Sequence, residues 1–166
     1  MSLECREKIL NTINKVLSRS EIAGYIYAFT IEGLPFYHFE TKKIEANSEN
    51  GQGNLIKVGR TQNVDKRLNE GRRKCSINPI LMVSYPEKSP STTSLTRAEK
   101  IKYTRLVERL ILLELEDRLG NANSSRLKCR CGTAHREWFR GDKDVVREVI
   151  YHWASFSKIA YGEVSD

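Results

Sequence analysis

Three cationic side chains between positions 57 and 67 have a spacing that can bring them to one place. The stretch Ile56 to Leu68, I-K-V-G-R-T-Q-N-V-D-K-R-L, begins with alternating apolar residues as a strand does and ends with apolar residues at helical spacing. We therefore predict a strand that passes into a helix at Gly59. Lys57 then lies near the end of the strand, Arg60 in the turn and Arg67 about one to two turns into the helix. Cations that converge in this way suit a phosphate group.

A carboxylate inside an apolar helix is a second candidate for chemistry. Arg97 to Gly120 is predicted to form the longest helix, with Gly120 as its stop. Apolar residues cover most of its circumference, so the helix is largely buried. Glu108 and Glu114 fall among these apolar residues, where an unpaired carboxylate costs several kcal/mol. Each therefore needs a cation, a hydrogen bond or a function, and a partly exposed glutamate paired with Arg or Lys is the alternative.

A cysteine and histidine cluster follows that helix. Cys129, Cys131 and His135 form a C-x-C-x3-H pattern, and Cys75 can supply the fourth ligand that a closed zinc site needs. The four side chains would bind one structural Zn²⁺ and fix the segment 121–135 to the body of the fold. The alternative is a set of thiols without metal, because C-x-C is tighter than the usual C-x2-C.

The elements that position these residues follow from periodicity and from turn residues. Tyr25 to Ile31 predicts a strand on which Tyr25, Tyr27 and Phe29 share one face. The region up to Gln52 is predicted to be largely a loop. The remaining predicted elements are a helix over Leu3–Leu17, a short hairpin strand within Phe36–Phe39, a helix over Asn63–Cys75, a buried strand between Pro79 and Pro86, a strand over H-R-E-W-F-R, and a last helix capped by Asp142 or Asp144.

Length, composition and charge limit the class of protein. With 166 residues, of which 39% are hydrophobic, the chain can form one compact domain. The net charge of +7 favours polyanionic partners, although a basic protein without such a partner has the same composition. The first residues lack the apolar core of a signal peptide, and no run approaches the roughly 20 apolar residues that span a bilayer. We expect an intracellular, soluble protein with no membrane partner, with nucleus and cytoplasm both open.

Taken in order, these pieces resemble the GIY-YIG nuclease superfamily. The resemblance rests on G-Y-I-Y in the first strand, K-V-G-R-T in the second, an arginine in the next helix, a glutamate in a later apolar helix, and C-x-C-x3-H-x-E-W-F. The chain is similar to the branch found in fungal, phage and bacterial proteins, in which a Cys/His group precedes an E-W-F strand. The resemblance covers roughly residues 24 to 141, the bulk of a domain of ordinary size.

The resemblance implies roles for individual residues. Tyr27 corresponds to the tyrosine of the first element and Gly59 to the glycine of the second. Arg67 corresponds to the helix arginine, and Glu108 to the glutamate that holds a divalent metal. Lys57 stands where the superfamily has a second tyrosine, a change that occurs in this branch.

These residues fit phosphodiester hydrolysis. Tyr27 would help to deprotonate a water molecule, provided that a cation such as Lys57 lowers the pKa of the phenol from about 10. Arg67 would hold the phosphate with its forked donors, with Arg60 as a further contact to nucleic acid. Glu108 would hold one Mg²⁺ or Mn²⁺ at the leaving oxygen.

The sequence therefore predicts an α+β domain with a small central antiparallel sheet flanked by helices. We expect an N-terminal helix within residues 1–20 and a nuclease-like domain over 21–166, acting as a metal-dependent endonuclease with DNA favoured over RNA. Histidines that often flank the metal glutamate in the branch are replaced by Arg105 and Leu112. This change favours the first alternative, a nucleic-acid-binding module without hydrolysis. The second is an interaction domain whose last helix docks a partner. The oligomeric state stays open.

Overall fold

The protein is built around an antiparallel sheet with helices on both sides. The computed structural model describes residues 1–15, 21–31, 36–37, 44–45, 54–87, 100–120 and 137–161. The elements in these ranges are α1 (Leu3–Ile13), β1 (Tyr25–Ile31), β2 (Phe36–Tyr37), β3 (Ile44–Glu45), β4 (Asn54–Thr61), α2 (Val64–Cys75), β5 (Pro79–Tyr85), α3 (Thr104–Leu119), β6 (Trp138–Gly141) and α4 (Lys143–Tyr161).

The described strands form two antiparallel sheets. The main sheet has the order β5-β1-β4-β6, and β2 pairs with β3 in a separate hairpin. The predicted α+β class, with a central antiparallel sheet flanked by helices, is therefore confirmed. None of the helices in the described ranges combines the length and apolarity needed to cross a bilayer.

Alternation along the central strands separates the core into two layers. Side chains of Tyr25, Tyr27 and Phe29 pack on the face covered by α2, together with residues of β4 and β6. We call this face the α2 side. Ile26 and Ala28 point to the opposite face, the α3 side, where α1, α3 and α4 pack. The predicted sharing of one strand face by the two tyrosines is confirmed.

The strand-to-helix turn forms as its residues predict. Asn63 caps α2 by accepting a hydrogen bond from the Lys66 amide at 3.0 Å, and the helix then runs to Cys75. The last helix is likewise preceded by Asp142, whose carboxylate accepts a hydrogen bond from the Asp144 amide at 2.8 Å. Local side-chain caps therefore fix both helix starts.

Two helix boundaries differ from the prediction. α3 begins at Thr104 because Ile101 forms a β-bridge with Gly24, with both amide hydrogen bonds at 3.0 Å. α1 ends at Ile13, where the amide of Asn14 still donates to the Leu10 carbonyl at 3.0 Å. Residues 16–17 and 97–99 of the two predicted helices lie outside the described residues.

The apolar sequence of β5 predicted a buried strand, but most residues of β5 are partly or fully exposed. It lies at the edge of the main sheet and pairs only with β1 there. Ile80 and Leu81 are 37% and 41% exposed. Its register to β1 shifts between Ala28 and Phe29, which is a way of bending an edge strand. Strand length and flanking prolines could not distinguish an edge from a central position.

The N-terminal helix packs into the core of the α3 side. Cys5 and Ile9 are buried there, and the Cys5 thiol donates to the Leu113 carbonyl at 3.4 Å. The Ser2 amide donates to the Asp117 carboxylate at 2.8 Å near the end of α3. α1 is thus held along the side of α3 by both apolar and polar contacts.

Glu114 joins α3 to α4. It is 3% exposed, accepts a hydrogen bond from Trp153 Nε1 at 2.7 Å and forms an ion pair with Arg118 at 2.6 Å. Arg118 extends the contact to Glu148 on α4 at 3.2 Å. The predicted need of this carboxylate for a cation or a hydrogen bond is confirmed, and both are present.

The substitution Glu114→Ala should destabilise the protein by about 1–3 kcal/mol, because it leaves the buried indole donor without its acceptor. Urea denaturation followed by circular dichroism measures the change. Glu148→Ala removes the exposed partner of Arg118 and should cost less than about 1 kcal/mol. Equal effects of the two substitutions would contradict a structural role for the buried contact.

Candidate active site

Tyr27 lies at the centre of the site. It is 1% exposed in the middle of β1, and its phenol oxygen accepts a hydrogen bond from Arg67 Nε at 3.2 Å. Arg67 is held there because Val64 and Leu68, its neighbours on α2, are buried against the α2 side of the sheet. The Arg67 side chain remains 43% exposed and also donates to Glu70 at 3.2 Å. The predicted meeting of Tyr27 and Arg67 is present in the structure.

Gly59 makes room for the phenol. It lies opposite Tyr27 in the pairing of β1 with β4. A Cβ at this position would lie 3.1 Å from the phenol oxygen and 3.3 Å from the ring carbon that carries it. Any side chain would therefore press on the phenol and disturb its hydrogen bond with Arg67.

Lys57 is the second cation of this layer. It is 6% exposed, and its ammonium group lies 3.1 Å from the Glu137 carboxylate and 5.6 Å from the centre of the Trp138 ring. Burial lowers the pKa of Lys57, and the charge and hydrogen bond of Glu137 act in the opposite direction. Arg67 lowers it further. The lysine is therefore a buried cation whose charged form is favoured chiefly by Glu137, with a smaller contribution from Glu108.

Glu137 is a site residue that the sequence analysis missed. It precedes β6 with φ of 74°, in the left-handed region that residues other than glycine rarely adopt, at a cost of order 1–3 kcal/mol. Its carbonyl accepts from the Val58 amide at 3.2 Å, so the strained backbone is tied to β4 while the carboxylate reaches Lys57. The available signal was the glutamate of E-W-F, which had served only as part of a family pattern.

The pKa of Tyr27 is raised overall, contrary to the expectation that nearby cations would lower it. Burial of the phenol raises its pKa above the usual value and outweighs the lowering by the Arg67 hydrogen bond and charge. Glu137 and Glu108 raise it further. The ammonium group that was expected to lower it, that of Lys57, is paired with Glu137.

Glu108 approaches the site from the α3 side. Its carboxylate is 16% exposed and accepts a hydrogen bond from Arg60 Nε at 2.8 Å. Burial raises the pKa of Glu108 and so does Glu137, whereas Arg60 lowers it. Glu108 also acts electrostatically on Tyr27 and Lys57. The carboxylate therefore pairs with Arg60 on the α3 side of the sheet, whereas Tyr27 and Arg67 meet on the α2 side, and its place in one pocket with the phenol stays a prediction.

The sequence predicted that Arg60 would join the other two cations beside the phenol, and this prediction is wrong. It lies opposite Ile26 in the sheet, one residue out of phase with Lys57 and Gly59 on β4. Alternation sends its side chain to the α3 side, where it pairs with Glu108. Of the three cations predicted to converge, Lys57 and Arg67 therefore lie on the α2 side and Arg60 lies on the α3 side.

The carboxylates of the cluster meet part of what a divalent cation needs. Mg²⁺ needs oxygen ligands and often takes one or two carboxylates, with substrate oxygens and water completing its shell. Glu108 supplies one such carboxylate, which pairs with Arg60 at 2.8 Å. Within the part of the chain that the structure describes, no three His, Cys, Asp or Glu side chains cluster as metal ligands. The protein alone therefore offers a partial shell, which suits a cation shared with a substrate.

The predicted zinc site falls largely outside the described residues. Cys129, Cys131 and His135 belong to the range 121–136, and Cys75 lies half-buried at the last position of α2. The zinc ligands therefore stay a prediction from the sequence.

The fold and the cluster define a class of protein, an α+β domain in which a phenol of β1 meets an arginine of α2 and β4 carries a buried, ion-paired lysine. Residues 53–156, more than half of the chain, match the family described as meiotically up-regulated gene 113, MUG113, and the chain belongs to that family. The match includes Lys57, Arg67 and Glu108, whereas β1 with Tyr27 precedes it. No curated protein and no solved structure matches the chain.

Replacing Glu137 should lower the pKa of Lys57 further. In Glu137→Gln the burial of the ammonium group persists, but the carboxylate charge that opposes the lowering is gone. The pKa can be measured by ¹³C NMR of reductively methylated lysines, with the Lys57 signal assigned from Lys57→Arg. In the control Glu70→Gln, which removes a partner of Arg67 instead, the Lys57 pKa should stay near that of the wild type. A Lys57 pKa that does not fall in Glu137→Gln would contradict the assigned pairing.

Proposed function

We propose that this protein is a metal-dependent endonuclease of the GIY-YIG type that hydrolyses phosphodiester bonds of DNA. The observation that carries the proposal is the hydrogen bond of Arg67 to Tyr27, with Lys57 and Glu108 near enough to act on the phenol or on its partners. Hydrolysis of a phosphodiester needs a water nucleophile, neutralisation of phosphate charge and support of the leaving oxygen. The cluster offers a group for each of these tasks.

Arg67 would bind the scissile phosphate. One edge of its guanidinium holds the phenol, and the side chain is still 43% exposed, so a phosphate oxygen can reach its remaining donors. The contact with Glu70 is at the surface, where an ion pair contributes little and a phosphate can replace it. Arg67 would thus hold substrate and phenol in one plane of donors.

Tyr27 would accept the proton of the attacking water at its phenol oxygen. Because the raised pKa keeps the phenol protonated in the free protein at neutral pH, its O–H proton would first pass to solvent, and the phenolate would then take the proton of the attacking water. Arg67 favours the phenolate, and a phosphate bound next to it removes water from the site, which strengthens that interaction. Lys57 would hold charge beside the phosphate while Glu137 keeps its ammonium group in position.

Glu108 would hold the divalent cation, Mg²⁺ or Mn²⁺, by its carboxylate. The cation would supply positive charge at the leaving oxygen. Arg60 holds Glu108 at 2.8 Å and fixes the orientation of the carboxylate. The raised pKa of Glu108 reflects burial and the charge of Glu137, a repulsion that a cation relieves.

Glu108→Gln should lower Mg²⁺-dependent nicking of supercoiled plasmid at least about a hundredfold and leave the fold intact, because the amide keeps an acceptor for Arg60 but loses the charge. Glu116→Gln, on the exposed face of the same helix, is the matched control and should nick like the wild type. Circular dichroism of both variants checks the fold. Full nicking by Glu108→Gln would exclude the assigned role.

The Arg60–Glu108 ion pair also favours a second function, a nucleic-acid-binding module without hydrolysis. An arginine that already neutralises the carboxylate reduces its affinity for a cation. Such a module would retain Arg67 and the basic charge and would bind DNA with a strong salt dependence. Binding without nicking at any Mg²⁺ or Mn²⁺ concentration would support this function over the first.

We also propose that Cys75, Cys129, Cys131 and His135 bind one structural Zn²⁺. The support is their donor chemistry and spacing, together with the half-buried position of Cys75 at the end of α2. Elemental analysis of purified protein should give about one equivalent of zinc, and Cys75→Ser should lower this value. The other described cysteine, Cys5, is buried in the α1–α3 contact, so Cys5→Ser is the control that should retain the metal. Far less than one equivalent in the wild type would exclude the site.

A further inference from the structure

A polar cleft lies beside the candidate active site, between the start of α3, the residues before β1 and the end of β4. Its volume is about 260 Å³, and its lining includes Arg60, Thr61, Gln62, Arg105 and Glu21. Arg60 belongs both to this cleft and to the ion pair with Glu108. The cleft is therefore continuous with the candidate site through one arginine.

The cleft is suited to an anion. Two arginines are among its described lining residues, of which Arg60 pairs with Glu108 and Arg105 has no ion pair among the described residues. Among the described lining residues the one carboxylate is that of Glu21, which accepts a hydrogen bond from the Arg105 backbone amide at the start of α3. The Gln62 side-chain amide is a further group in the lining that can donate to a phosphate oxygen, whereas the Thr61 hydroxyl already donates to the Asn63 carbonyl at 3.1 Å.

The cleft and Glu108 lie along the same face of α3. Arg105 and Glu108 are three residues apart on this helix, so their side chains lie on one face and about 5–6 Å apart at their Cβ atoms. A strand with its scissile phosphate at Glu108 that crosses the start of α3 would thus bring a neighbouring phosphate to Arg105.

We propose that this cleft is a second phosphate subsite, in which Arg105 and Arg60 bind a backbone phosphate of the nucleic-acid strand next to the one held at Arg67 and Glu108. The proposal rests on the proposed function and extends it, because it assigns the path of the strand across the start of α3. The contact carries no base information, so the subsite would add affinity and register without sequence preference.

The main test compares two arginines of α3 in binding a DNA duplex. Arg105→Ala removes a cation of the cleft, whereas Arg109→Ala removes an exposed cation one turn further along, outside the lining. Binding is measured in EDTA, which prevents metal-dependent cleavage, over a range of salt concentrations. Arg105→Ala should lower the slope of log affinity against log salt by about one, and Arg109→Ala should leave it unchanged. Thermal melting followed by circular dichroism shows whether both variants are folded.

A second variant has the opposite expected sign. Glu21→Gln keeps an oxygen that can accept from the Arg105 amide but removes the negative charge from the cleft. DNA binding should become about two- to fivefold tighter, a change within the size of a surface charge interaction. Glu7→Gln, at an exposed position of α1, makes the same change in net charge and should have less effect.

The outcomes separate this inference from the proposed function. If Arg105→Ala and Arg109→Ala have the same affinity and salt slope while the wild type binds and nicks DNA, the subsite is overturned and the proposed function stands. If the wild type neither binds nor nicks DNA, both fail. A 5′-mononucleotide provides the remaining arm. If its binding is lost in Arg105→Ala but duplex binding is not, the cleft takes a free phosphate and the strand contact is overturned.

Discussion

The candidate site depends on the antiparallel register of β1 and β4, which sets Tyr27 opposite Gly59. The absent side chain at Gly59 lets the phenol lie against β4, and a Cβ there would approach its oxygen to 3.1 Å. From this position the phenol meets Arg67, which α2 presents because its neighbours are buried under the sheet. A shift of the strand register by one residue would place the phenol on the α3 side and remove its hydrogen bond with Arg67. The chemistry proposed for the site therefore rests on a backbone pairing.

Burial then decides the electrostatics of the cluster. Tyr27 and Lys57 are almost fully buried, and removal from water disfavours the phenolate of one and the ammonium of the other. Two carboxylates neutralise cations on different sides of the sheet. Glu137 pairs with Lys57, and Glu108 pairs with Arg60. The sheet separates the two ion pairs, yet the carboxylates still repel each other through a medium of low dielectric. A bound phosphate would neutralise positive charge in the cluster, and a divalent cation would reduce the repulsion between the carboxylates. The cluster therefore suits a charged substrate better than a neutral one.

Much of the architecture could be read from local pattern. The alternation of Y-I-Y-A-F-T-I predicted which residues lie on each face of β1, and Asn63 and Asp142 indicated the starts of two helices. The apolar circumference of the helix around Leu110 predicted its burial and the need of Glu114 for partners. Where prediction failed, a distant contact had intervened. Ile101 pairs with Gly24 and delays α3, and β5 lies at an edge because strand order is a property of the whole sheet.

The sequence by itself determined which residue types are available and which local elements carry them, since strand alternation, caps and helical periodicity act over a few residues. The order of its motifs resembled a nuclease superfamily, and that resemblance, not local spacing, grouped Tyr27, Arg67 and Glu108. Only the tertiary structure decided the partners and charge states, because these depend on which faces meet and how much water is excluded. It turned Arg60 to Glu108, brought the strained Glu137 to Lys57, and made burial outweigh the cations around the phenol. Desolvation is a sum over all surrounding atoms, and no local spacing of residues encodes that sum.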